Sequence, residues 1–135
     1  MAGFSRAGNE RVNAFPVDDN YLVKHYFETD DVFHRLKRYY NNHQYRFEIP
    51  VEEFTDVRSF LENYGYDLIE VELIDEYIVV VKKYTDHPDN IFKISVMQRS
   101  VDNYNCFLIK DKASVEQMCN SGAVQFGKTD LENPF

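Results

Sequence analysis

The chain has 135 residues, 44% of them hydrophobic, and a formal net charge of −8 at pH 7 from 23 acidic and 15 basic residues. This length fits one domain with a single core, and the negative charge excludes a polycation that binds nucleic acid over its whole surface. No apolar run approaches the roughly eighteen residues of a membrane helix, and residues 1–15 lack the hydrophobic stretch of a secretory signal. Only two cysteines, Cys106 and Cys119, are present. A disulfide framework is therefore excluded, and a cytoplasmic protein with reduced thiols is expected.

The first elements follow from turn residues and periodicity. Residues 1–20 contain glycines, Pro16 and scattered charge without a period, and they are expected to form an N-terminal arm. The aromatic and β-branched run at 21–27 predicts a strand. Apolar residues at helical spacing then predict an amphipathic helix over about 30–42.

From residue 45 to 109, the hydrophobic pattern switches between the periods of strands and helices. Strands are predicted at 45–49, 68–73, 77–84 and 104–109, and helices at about 51–64 and 88–101. The order β-α-β-β-α-β is that of ferredoxin-like domains. We therefore expect an α+β sandwich, in which both helices cover one face of a four-stranded antiparallel sheet.

The C-terminal part supplies one more helix. Asp111 is a candidate N-cap for it, Gly122 follows its end, and a short strand is predicted at 124–126. The expected organisation is an arm over 1–20, a single α+β domain over 21–127 and a C-terminal tail over 128–135.

Several short strings carry a resemblance to a known family. They are Tyr39-Tyr40, Tyr45-Arg46-Phe47-Glu48, Lys83-Tyr84-Thr85-Asp86-His87, Ser114-Val115-Glu116-Gln117 and Gly122-Ala123. Together they resemble a family of small uncharacterised proteins from halophilic archaea, over about residues 21–127. The resemblance implies a soluble, cytoplasmic protein of a salt-rich cell and lends no activity. Eight lysines and a modest acid excess depart from a salt-adapted composition.

One stretch departs from the acidic character of the chain. Residues 32–47 contain no acid and carry a charge of +4, which leaves −12 on the rest. The candidate nucleic-acid-binding residues are Arg35, Lys37, Arg38 and Arg46, with Tyr39, Tyr40 and Tyr45 available for stacking. Cations mixed with aromatic rings suit phosphate contact and base stacking. The alternative is that the cations complement a helix dipole and the tyrosines belong to the core.

The segment Asp86-His87-Pro88-Asp89 is a second candidate functional site. Two carboxylates around an imidazole could ligate a metal, which makes Asp86, His87 and Asp89 candidate ligands. The alternative is that Asp86 caps a helix and Asp89 complements its dipole. No phosphate-binding glycine loop or nucleophile motif accompanies them, so no catalytic residue and no cofactor is predicted.

Three functional hypotheses follow. The leading one is a non-catalytic interaction or regulatory module that binds a protein partner or a second copy of itself, with no membrane contact. Its interface is expected on an open sheet face that exposes Leu68 and several tyrosines, or on an edge strand. The second is a nucleic-acid- or ribosome-associated factor that uses residues 32–47. The third is a metal-dependent hydrolase or nuclease that uses Asp86, His87 and Asp89.

Overall fold

The structure, a computed structural model, describes residues 8–135, and the contacts divide these residues into two compact units, 8–71 and 72–135. Each unit contains its own sheet and its own helices, so the α+β class is confirmed. Within residues 8–135, no helix has the length and apolarity needed to cross a membrane.

The first unit contains a five-stranded sheet and two helices. Its strands are β1 (Glu10–Val17), β2 (Asn20–Val23), β3 (Tyr40–Asn41), β4 (Arg46–Pro50) and β5 (Tyr66–Glu70); its helices are α1 (Asp30–Leu36) and α2 (Phe54–Glu62), with 3₁₀ turns at Lys37–Tyr39 and Val51–Glu53. The strand order is β3-β4-β2-β1-β5. β1 runs parallel to β5, and the other neighbours are antiparallel.

The core of the first unit lies between the sheet and its helices. The fully buried members include Ala14 of β1, Val32 and Leu36 of α1, and Val57 and Leu61 of α2. Alternate strand residues face this core because side chains on a strand point to opposite faces in turn. The core residues of α1 and α2 recur at the three- and four-residue spacing that aligns one face of a helix.

The predicted arm over 1–20 is wrong for residues 10–17, which form β1, while residues 1–7 lie outside the described residues. Val12, Ala14 and Phe15 are buried, so this strand is part of the structured interior of the chain. Pro16 does not prevent it, because Pro16 lies beyond the last β1–β5 pair, Ala14 with Glu70. A proline is tolerated where a strand needs hydrogen-bonding partners on one side only.

The second unit contains a four-stranded antiparallel sheet. Its elements are β6 (Ile78–Lys82), α3 (Ile91–Ile94), β7 (Ser95–Val101), β8 (Tyr104–Ile109), α4 (Lys112–Asn120) and β9 (Val124–Gln125), with 3₁₀ turns at Ile74–Tyr77 and Phe126–Lys128. The strand order is β7-β8-β6-β9. A core on one sheet face is made by Val79, Val81, Ile91, Phe107, Ile109, Val115, Met118 and Ala123.

The ferredoxin-like arrangement of residues 45–109 is not confirmed. β4 and β5 belong to the sheet of the first unit, where β2 and β1 lie between them, whereas β6 and β8 pair in the second unit. The helix predicted over 88–101 is wrong beyond Ile94, because Ser95–Val101 pairs with β8 across a bulge at Ser95/Met97. The 3.6-residue spacing of its first apolar residues is real, but it extends over a single helical turn.

The last helix gives a direct test of its predicted cap. The Asp111 carboxylate accepts a hydrogen bond of 2.7 Å from the Ser114 backbone N–H, so it satisfies a donor that the helix itself cannot. We expect Asp111→Ala to lower the free energy of unfolding by about 1 kcal/mol in urea denaturation. Asp86→Ala is the matched control, because α3 has Asn90 at its N-cap and Asp86 is exposed outside the helix. An equal loss in both variants would contradict the assignment of the cap.

Candidate functional site

The basic stretch predicted at 32–47 runs from α1 through the 3₁₀ turn and β3 into β4. Val32 and Leu36 point into the core at 0% and 1% exposure, as the helical spacing predicts. Arg35 and Lys37 are exposed, and the Arg35 guanidinium lies 5.5 Å from the centre of the Phe60 ring of α2. Three of the four predicted cations, Arg35, Lys37 and Arg38, are therefore exposed on the surface of the first unit.

Arg38 belongs to a local ion-pair network. Its guanidinium forms a salt bridge with the Glu53 carboxylate and lies 4.8 Å from the centre of the Tyr39 ring. The Tyr39 hydroxyl donates a 2.9 Å hydrogen bond to the same carboxylate. Glu53 thus neutralises Arg38 and fixes Tyr39, a role that the sequence analysis did not assign to it.

Arg46 is also engaged by an acid. Its Nε donates to Glu48 Oε2 at 2.9 Å, and its guanidinium lies 2.8 Å from the same carboxylate. Only 11% of the Arg46 side chain is exposed. Asn41 Nδ2 donates to the same carboxylate at 3.3 Å, which ties β3 to β4. Glu48 therefore neutralises Arg46 within β4, and Arg46 presents little charge to a ligand.

The three predicted stacking tyrosines occupy different environments. Tyr39 is 7% exposed, and Tyr40 packs edge-on against Phe47 with ring centres 5.0 Å apart. Tyr45 is 66% exposed at a positive φ of 55°, at the end of the β3–β4 loop. Phe33 of α1 is 44% exposed. The structure thus leaves Tyr45 and Phe33 as the accessible rings of this stretch.

The predicted metal ligands do not converge. Asp86 and Asp89 are exposed, whereas His87 is half-buried between the Phe92 and Phe107 rings. Within residues 8–135, no group of three or more His, Cys, Asp or Glu side chains could hold a metal ion.

Both ring nitrogens of His87 have hydrogen-bonding partners. Nδ1 lies 3.0 Å from the Thr85 carbonyl oxygen, and Nε2 lies 3.2 Å from the Asn105 side-chain amide. A neutral imidazole with its proton on Nδ1 satisfies both bonds. His87 therefore fixes the loop that follows β6.

The two cysteines are free thiols. Cys106 is 0% exposed on β8, and burial raises the pKa of its thiol. Cys119 is half-buried and lines a cleft of about 820 Å³ between α4 and the 3₁₀ turn at Ile74–Tyr77. Burial also raises its pKa, with a smaller opposing effect from the Lys128 charge. Both thiols are therefore poor nucleophiles at neutral pH.

In comparisons with protein-family models, curated proteins and solved structures, nothing matches this chain. The resemblance to the halophilic family stays a prediction. A function for this chain is therefore inferred from the geometry of each unit.

Proposed function

We propose that this chain is a non-catalytic binding module whose first unit docks an acidic protein partner. The binding surface is the outer side of α1 and the turn that follows it, with Arg35 and Lys37 as its charges and Phe33 as its apolar anchor. We call this the α1 surface. The observation that carries the proposal is that Arg35 and Lys37 are exposed beside the exposed Phe33 ring and form no ion pair among the described residues, whereas Arg38 and Arg46 are paired with acids.

The composition of the α1 surface favours a protein over a nucleic acid. A nucleic-acid interface needs several cations on phosphates and rings free to stack. Here Glu53 and Glu48 neutralise Arg38 and Arg46, and Tyr39 is buried with its hydroxyl on Glu53. A phosphate backbone that approached Arg38 would also meet the Glu53 carboxylate.

Charge complementarity supports an acidic partner. The rest of the chain carries −12, so the α1 surface is a local reversal of sign on a strongly acidic protein. Such a reversal steers a partner of opposite charge and repels like-charged surfaces. Phe33 adds a partly exposed ring, and aromatic and Arg side chains are the residue types that contribute most at protein interfaces.

Quantitative affinity capture tests the proposal. The full chain, the double variant Arg35→Glu/Lys37→Glu and the control Lys93→Glu/Lys112→Glu are each immobilised and exposed to host extract with and without nuclease. The control reverses two exposed lysines of the second unit and gives the same net charge. Exposed substitutions of this kind leave folding nearly unchanged.

We expect at least one acidic protein to bind the wild type and the control in the presence of nuclease. Its recovery should fall at least about tenfold with the double variant, because like charges across an interface repel. Capture that disappears with nuclease would contradict the proposal and indicate a nucleic-acid partner. If the double variant recovers as much of the acidic protein as the control does, the interface lies outside the α1 surface.

A further inference from the structure

The second unit contains a cleft of about 610 Å³ beside the end of β6. Its floor includes Val80 and Val81 of β6, and its walls come from the segments 85–88, 121–122 and 128–131. Ligand sites are typically clefts of about 300–1,000 Å³ with an apolar lining and a few polar groups at fixed positions. This cleft has that size and that mixed lining.

Each wall is held in place by hydrogen bonds of its own. Thr85 Oγ1 donates to the Lys82 carbonyl oxygen at 2.7 Å, and Thr129 Oγ1 donates to the Phe126 carbonyl oxygen at 2.7 Å. Gly122 has a φ of 110°, which closes the end of α4 in a conformation that other residues rarely adopt. The walls are therefore formed before any ligand binds, which lowers the entropic cost of binding.

Four charged side chains line the cleft, two of each sign. They are Lys82, Asp86, Lys128 and Asp130, and all four are exposed. Among the residues that the structure describes, none of the four forms an ion pair, whereas Lys112 and Glu76 of the same unit pair at 2.7 Å. The cleft thus offers carboxylates and ammonium groups together beside an apolar floor.

We infer that this cleft binds a short zwitterionic peptide of two or three residues. Lys82 and Lys128 would receive the terminal carboxylate, Asp86 and Asp130 the terminal ammonium, and the β6 valines the side chains. A ligand of one sign would satisfy one pair of charges and be repelled by the other. The volume exceeds what a single free amino acid requires.

Titration of the ¹⁵N-labelled full chain with the dipeptide Leu-Leu tests this inference. We expect saturable amide shifts in segments 82–86, 121–122 and 128–131. N-acetyl-Leu-Leu amide, which keeps the side chains and lacks both charges, should bind at least about fivefold more weakly, because two exposed ion pairs are lost. Equal binding of the two peptides would overturn the assignment of the charges.

Two double variants test the binding of the carboxylate end and of the ammonium end of the peptide separately. Lys82→Gln/Lys128→Gln should weaken Leu-Leu about fivefold and leave Leu-Leu amide, which lacks the carboxylate, unaffected. Asp86→Asn/Asp130→Asn should weaken both peptides. The control Lys93→Gln/Asp89→Asn changes exposed residues that do not line the cleft, and it should bind like the wild type. No saturable shift with wild type, or shifts confined to residues outside the cleft, would overturn the inference.

Discussion

Phe27→Ala is expected to lower the free energy of unfolding of the first unit by about 3–5 kcal/mol. Phe27 is 5% exposed and is the centre of an aromatic cluster. Its ring packs edge-on against those of His25 and Tyr66, each with ring centres 4.9 Å apart, and against Phe47 at 5.6 Å. Truncation would remove these contacts and leave a cavity between the sheet and its helices.

Urea denaturation, together with amide exchange of β1 to β5, measures this loss. Tyr26→Ala is the matched control, because Tyr26 is the neighbouring aromatic residue and is 82% exposed. We expect the control to change the stability by less than about 0.5 kcal/mol. Similar losses in the two variants would contradict the position of Phe27 at the centre of the core.

Phe107→Ala is expected to have an effect of similar size, about 3–5 kcal/mol, in the second unit. Phe107 is 0% exposed in the middle of β8 and packs edge-on against Phe92 and His87 at 5.6 and 5.7 Å. Its loss removes one ring that holds His87, and with it the support of the loop over 85–88. The variant should therefore also expose the amides of that loop to exchange.

Hydrogen exchange of the second unit, with Tyr84→Ala as the control, tests this prediction. Tyr84 is 99% exposed in the loop after β6, so its ring contributes no core packing. Protection of the amides of β6 and β8 should fall in Phe107→Ala and persist in the control. Unchanged protection in Phe107→Ala would contradict the core assignment of β8.

Local features of the fold could be predicted where the hydrophobic period or a single capping residue determines the element. β8 begins and ends where the pattern predicts, at Tyr104 and Ile109, and Asp111 caps α4 as its residue type indicates. β1 was missed because charged and small residues interrupt its apolar ones, and because Pro16 argues against a strand that needs partners on both sides. Its pairing with β5 depends on contacts between distant residues, which periodicity cannot detect.

The face of a strand was harder to predict than its position. Leu68 was expected on an open sheet face, but it is 2% exposed and belongs to the core of the first unit. Leu73 is 65% exposed because β5 ends at Glu70, whereas Val71 is buried. A shift of one residue moves a side chain to the opposite face of a strand, so the face of Leu68 depends on the pairing of β5 with β1.

The charge of the candidate site also depends on contacts between distant residues, which the sequence pattern does not reveal. The positive charge of residues 32–47 is evident in the sequence, and three of its four predicted cations are exposed. The acid that neutralises Arg38 lies on the turn before α2, fifteen residues along the chain. Ion pairs over such distances depend on how α1 and α2 pack, so the net charge of a segment overstates the charge that a ligand meets.

The parallel pairing of β1 with β5 also has a consequence for synthesis on the ribosome. Glu10 lies opposite Tyr66, so β1 leaves the exit tunnel long before the strand that completes its sheet. Until then, the edge of β1 that will receive β5 lacks its native partner, and unpaired strand edges promote association between nascent chains. In the second unit, β7 and β8 form a hairpin and can pair as soon as both have emerged. Slower translation should therefore favour misfolding of the first unit more than of the second.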